Sequence, residues 1–190
     1  MEIVLFVIAG MVIATLIYGI MIYNNLVRLK HSVTQAWSNI DVLLKQRHDE
    51  LPKLVETCKQ YMKYEQETLE RVMLARSAVA SARQRGDVGA VGSAESALRL
   101  GLGNLFAVAE NYPDLKANDG FRHLQSRITG LENSIADRRE FYNESANNNN
   151  VRIEQFPDIL LASRFNFKGA ELLEFDEEEI RDVNVGTLFG

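Results

Sequence analysis

From Ile3 to Ile22 no position carries a charge and most are apolar; from Leu26 onward apolar residues recur only every third or fourth position. The first pattern needs an apolar surrounding on every side. A helix rises about 1.5 Å per residue, so about 20 residues cross the ~30 Å hydrocarbon core of a bilayer. Residues 1–25 are therefore expected to form one membrane anchor, limited by Ile3 and Ile22. A cleaved signal peptide is the competing reading. The run is too long for an h-region, Glu2 stands where a basic n-region belongs, and no small-residue cleavage site follows, so retention is expected.

Within the run, Gly10 and Ala14 are four apart, as are Thr15 and Gly19. Small residues at that spacing let helices approach closely in lipid. Tyr18 and Tyr23 suit the interfacial end of the run. Arg28, Lys30, Lys45 and Arg47 follow it, and only the chain amino group beside Glu2 precedes it. Positive flanks stay cytoplasmic. The expected placement is a single pass through a bacterial inner membrane, N-terminus outside and domain in the cytoplasm.

The second pattern is helical. Leu26, Leu29, Val33, Ala36, Ile40 and Leu43 make one apolar face over 26–51, with no Gly or Pro separating it from the anchor. Anchor and first soluble helix are thus expected to be one rod. Pro52 predicts a kink or tight break. A helix over about 53–85 follows, then a Gly86-Asp87 turn and a helix over 88–111. Its glycines 89, 92, 101 and 103 weaken helicity but permit close packing. Tyr112-Pro113-Asp114 ends it, and Asn118 or Asp119 can cap the next.

The last long helix has Phe121, Ile128, Ile135 and Tyr142 seven apart, with Leu124, Leu131 and Arg138 interleaved. The run Asn147–Asn150 resembles a breaker, but asparagine is only a modest helix penalty and Ile153 and Phe156 rejoin the stripe. Continuation to about Gln155 is preferred. Pro157 closes the element, and Ile159–Phe165 can form one more turn. Short loops make successive helices antiparallel. The expected class is all-α: a transmembrane helix continuing into an antiparallel bundle of about four helices over 26–165, then an irregular acidic tail over 166–190.

Net charge, −5 over 190 residues, sharpens that last boundary: residues 171–190 carry seven acids and one arginine, so the rest is nearly neutral. A basic patch of the kind nucleic acid requires is absent from the sequence, and no nucleic-acid partner is expected. One cysteine, Cys58, excludes an intrachain disulfide and a cysteine cage for zinc. It lies on an apolar stripe, where a small buried residue is the simpler reading. Trp37 flanks its own stripe and reads as core.

Several residue groups line up together. Tyr23-Asn24-Asn25-Leu26-Val27 follows the anchor; Trp37, Ile40, Asp41, Arg47 and Pro52-x-Leu54-Val55 come next; then Tyr61, Glu65 and Ala75-Arg76. The block Glu110-x-Tyr112-Pro113-Asp114-Leu115-Lys116-Ala117-Asn118 is the most specific. Phe121, Leu124-Gln125, Glu132, Ile135, Arg138, Tyr142-Asn143 and Phe156-Pro157 complete it. The chain resembles the bacterial LemA family from the anchor to about residue 165. The resemblance implies an N-terminal membrane helix, a cytoplasmic antiparallel bundle and a largely undefined biochemical role. Asn149-Asn150 departs from it, standing where the family tends to repeat a Tyr-Asn pair. Beyond residue 170 nothing carries over.

Chemistry is sparse. His31, His48 and His123 form no pair at helical spacing for a metal. No nucleophile elbow, phosphate loop or E-x-x-H occurs. His48-Asp49-Glu50 reads as a solvated helix end. No catalytic residue, cofactor or metal site is expected. Glu65, Arg76 and Arg138 fall where stripes expect apolar residues; Glu110 and Glu132 border theirs. Buried ions need partners, so these five are expected to pair between helices.

The loop with Tyr112, Pro113, Asp114, Lys116 and Asn118 either sets a turn or presents a recognition surface. The function expected first is a non-enzymatic, membrane-anchored bundle that contacts the bilayer and self-associates as a homo-oligomer or scaffolds membrane components. The alternative is an adaptor whose loop 112–118 or acidic tail recruits a membrane protein partner, such as a protease or envelope complex. A metal-dependent enzyme is the remote alternative.

Overall fold

The computed structural model describes residues 1–174. Among them are four long helices, two short ones and no strand: α1 Glu2–Lys59, α2 Gln66–Arg85, α3 Val88–Ala109, α4 Pro113–Ala117, α5 Asp119–Glu154 and α6 Asp158–Arg164. The class is all-α.

Local chemistry explains most ends. Gly86 closes α2 in the left-handed conformation at φ 67°, and its N–H reaches the carbonyls of Ala82 and Arg83. Asp87 then caps α3, its side chain accepting from the Ala90 N–H at 2.9 Å. Pro113 opens α4, where a missing N–H is harmless. Asn118 Oδ1 accepts from the Phe121 N–H at 3.0 Å and starts α5.

Of the kink or tight break expected at Pro52, the break needs correction, while the helix expected through the asparagine run is present. α1 does not break at Pro52; it continues to Lys59, and the chain leaves helix over residues 60–65 instead. The reason lies in the group Pro52 would have paired, described below. The asparagine run is helical, as the stripe through it indicates.

The described residues fall into two compact units. One comprises residues 1–39 and 140–171. There α5 runs antiparallel to α1: Trp37 meets Tyr142, rings 5.4 Å apart, while Ile22 and Leu26 form a small core with Ala162 and Ile153. The other comprises 40–139, with 172–174. Its core joins Leu51, Leu54 and Cys58 of α1, Val72 and Val79 of α2, Leu98 and Leu105 of α3, and Phe121 and Ile128 of α5. Burial pushes the Cys58 thiol up to about 12, in keeping with a small packed residue.

Gly101 faces Val72 at ordinary contact distance, so α2 and α3 lie close there. Gly92 is different: a methyl group on it would meet the Glu174 carbonyl oxygen at 2.0 Å. Its bare backbone admits residues 173–174, and Leu173 is buried. The part of the expected tail beyond 174 lies outside the described residues.

Candidate functional site

Ile40, Leu44, Leu51 and Leu54 form the buried stripe of α1, and Arg47 occupies a step within it. On α3, Glu95 similarly interrupts the steps Val91, Leu98 and Leu102. α5 brings Glu132. Arg47 is 1% exposed and bonds both Glu95 oxygens through Nη2 and Glu132 Oε1 through Nη1. One guanidinium thus ties three helices. A buried ion is tolerable only when paired and hydrogen-bonded. Burial opposes the charge on Arg47, yet the two carboxylates outweigh it and hold its pKa above the ordinary value. Burial, with Glu132 adding like charge, pushes Glu95 up despite Arg47.

Among the described residues Arg76 pairs with no acid. Its Nε donates to the His48 carbonyl at 2.9 Å, and its Nη2 lies 2.7 Å from His48 Nε2. Residue 48 is four before Pro52, so its carbonyl lacks the usual helical donor. Arg76 replaces that donor, which is why α1 passes Pro52. The guanidinium can only donate, so His48 Nε2 is the accepting, unprotonated nitrogen. Desolvation first, then the Arg76 charge, hold His48 below its ordinary pKa. About two turns earlier on α1, Asp41 Oδ1 accepts from Arg83 Nε at 2.8 Å. Farther along α1, Arg127 Nε donates to Glu50 Oε1 at 3.0 Å, tying α5.

The other expected ion-pair residues do not join this network. Glu65 sits in the 60–65 loop and its Oε1 accepts from Tyr112 Oη at 3.4 Å. Glu110 is exposed and pairs with Lys116, six residues on, rather than with another long helix. Arg138 is exposed, which corrects its expected burial. A row spaced by seven rotates about 20° per heptad on a straight helix. The edge row Leu124, Leu131, Arg138 therefore leaves the core face, while Phe121, Ile128, Ile135 and Tyr142 stay on it.

Loop 112–118 is pinned rather than loose. Leu115 is fully buried, and Asn118 Nδ2 donates to Tyr61 Oη at 3.1 Å. Pro113, Asp114 and Lys116 remain exposed on this fixed turn. Nearby, a cleft of about 710 Å³ opens between α1 and α2, lined by Val55, Met62, Leu69 and Met73 with Lys59 and Lys63 at its rim.

In the first unit, Ile3, Gly10 and Ala14 are exposed and Gly19 half-exposed, whereas Ile22 is buried against Leu26 and Ala162. The asparagines that depart from the family pattern hold the returning chain. Asn150 Nδ2 donates to the Ala170 carbonyl at 2.8 Å, and its Oδ1 accepts from the Ala170 N–H at 2.7 Å. Asn149 is buried and donates to the Lys168 carbonyl. Tyr142 Oη donates to the Glu171 carbonyl at 2.7 Å. Among the described residues no group of three or more His, Cys, Asp or Glu side chains could hold a metal.

The profile described as the LemA family matches residues 36–186. The chain belongs to the LemA family. Protein LemA of Metamycoplasma hominis (strain ATCC 23114 / DSM 25592 / NBRC 14850 / NCTC 10111 / PG21) is 26% identical over 167 residues, 87% of this chain and 74% of its own. Magnetosome protein MamQ 2 of Paramagnetospirillum magneticum (strain ATCC 700264 / AMB-1) is 35% identical over 105 residues, 54% of this chain. MamQ of Magnetospirillum gryphiswaldense (strain DSM 6361 / JCM 21280 / NBRC 15271 / MSR-1) is 35% identical over 86 residues, 45% of this chain. The chain spans 38% and 31% of the length of these two MamQ relatives.

The LemA match begins inside α1 and continues past residue 170 into the acidic segment. It contains Arg47, Glu95 and Glu132. Sequence reasoning placed Arg47 among the positive residues after the anchor and among the LemA-like residues, not in an ion cluster, and missed Glu95. The missed signal was available, since each charge falls on a three-to-four residue step between buried apolar positions. With its uncovered apolar helix, this LemA-family chain is a membrane-associated helical protein.

Proposed function

We propose that the chain is a non-enzymatic, single-pass membrane protein whose bundle self-associates or scaffolds other membrane components. One observation carries the reading. The apolar stretch of α1 has no protein against it: Ile3, Phe6, Ile13, Leu16 and Ile17 are all more than half exposed. Its partner is external, and lipid fits its length and chemistry. Nothing lies within 4 Å of a methyl group placed on Gly10 or Gly19, leaving room for a neighbouring anchor. The buried charges bond one another and hold helices together, a structural use of ions rather than a catalytic one.

Amine-reactive cross-linking of the full chain in native membranes tests this. Adducts at multiples of 21.5 kDa, or with reproducible membrane partners, are expected; monomer alone contradicts it. The proposed orientation places the bundle in the cytoplasm of a bacterial inner membrane, protected from protease added to sealed spheroplasts. Digestion from outside contradicts that placement.

The pinned loop favours a second reading as an adaptor. A turn held by Asn118 and Leu115 presents Pro113, Asp114 and Lys116 in fixed positions, as a recognition surface requires. Asp114→Lys would then abolish partner capture while leaving thermal unfolding unchanged. Retained capture counts against it.

A further inference from the structure

Where α1 leaves its apolar run, a second apolar surface is held beside it. Tyr23, just past Ile22, meets the rings of Phe165 and Phe167 at 4.9 and 5.8 Å. Ala162 of α6 packs on Ile22 and Leu26, so α6 sits within about one helical turn of the end of the run. The end of α5 reaches the same level: Ile153 packs against that core. Yet Phe156 is 81% exposed, Leu160 61% and Phe165 56%. Water is a poor surrounding for three large apolar side chains so close together. The acid of α6, Asp158, is buried and paired with Arg152, so it does not oppose an apolar surrounding.

We propose that the 155–157 turn and α6 form an interfacial membrane contact, with Phe156, Leu160 and Phe165 entering the headgroup–acyl boundary beside the anchor. It rests on the membrane reading of Ile3–Ile22. Its occupant follows from continuity with that segment: a bilayer whose surface lies near Ile22 meets this patch. Aromatic residues suit that depth, and apolar side chains of interfacial helices enter by about 5–10 Å. Contact is carried by apolar insertion, so it requires no anionic lipid.

The test uses the full chain in phosphatidylcholine vesicles with brominated acyl chains, which quench nearby tryptophan. Phe156→Trp and Leu160→Trp are each made with Trp37→Phe, and Tyr18→Trp in the same background reports the anchor. The native protein supplies Trp37, fourteen residues past Tyr23, or about 21 Å along α1. Both α6-region variants should be quenched at least about half as strongly as Tyr18→Trp, and Trp37 by under about a tenth of it, given the interfacial depth. Quenching of Tyr18→Trp without either α6-region variant overturns the contact and leaves the anchor standing, as when another protein covers the patch. Absence of quenching at Tyr18→Trp overturns the anchor, and the contact with it.

Discussion

Arg76 donates to the His48 carbonyl that Pro52 leaves without a helical partner, 2.9 Å away and 28 residues apart in the chain. The two helices thereby repair each other's irregularity: α1 gains the donor its proline lacks, and α2 gains a partner for a charge on its inner side. Losing a hydrogen bond to a charged donor costs about 1.5–3 kcal/mol. Arg76→Met should destabilise the full chain by that amount. Pro52→Ala restores an N–H within reach of the same carbonyl, so the double variant should recover about 1 kcal/mol. Urea unfolding of the four proteins in mild detergent measures this, and strictly additive losses contradict the repair.

The same contact makes stability pH-dependent. His48 titrates below its unfolded value of about 6.5. On acidification the unfolded chain therefore takes up this proton first. The contribution is complete above about pH 6.5 and is lost as pH falls through the lower folded value. Glu95 runs in the opposite sense: its raised pKa favours the folded chain at low pH and loses that advantage as pH rises. His48→Gln isolates the first effect. Its Tm should fall less than that of the unaltered chain between pH 7.5 and pH 5.5; equal falls contradict the assignment.

Arg47 is the larger structural commitment. Arg47→Met strands Glu95 in the core, and removing one partner of a buried ion pair costs about 3–5 kcal/mol. Replacing the whole cluster with Arg47→Met, Glu95→Leu and Glu132→Met should come within about 2 kcal/mol of the original, because apolar packing substitutes for buried ions. Chemical unfolding distinguishes the two. A single variant as stable as the original would show that Arg47 is not held as described.

Asn150 copies a backbone partner for Ala170. Asn150→Ala keeps a good helix former in α5 but removes both bonds. The Ala170 amide should then exchange with solvent at least about tenfold faster, near 1.4 kcal/mol of lost protection. Unchanged exchange at Ala170 contradicts the clamp.

Much of this fold is legible from periodicity. The apolar run, the Gly86-Asp87 turn and the Phe121–Tyr142 row each appear in the structure because one local rule determines each. What escaped required two segments at once. Pro52 reads as a breaker by itself, and the donor that serves the carbonyl it leaves bare, Arg76, comes from α2. Glu95 stands on the apolar stripe of α3, but the partner that makes its burial tolerable, Arg47, comes from α1. The helix through Asn149 and Asn150 is expected, but their use lies in a chain that returns about twenty residues later. Arg138 misled for a simpler reason: a seven-residue row at the edge of a stripe rotates out of it.

The central claim is association within the membrane, and energy transfer tests it most directly. Copies of the full chain labelled with donor or acceptor are mixed in proteoliposomes, which are then fused with empty vesicles to dilute the protein. The account predicts transfer that survives dilution well beyond random-proximity levels, lowered by Gly10→Leu with Gly19→Leu. Transfer that collapses to the random value on dilution would contradict it.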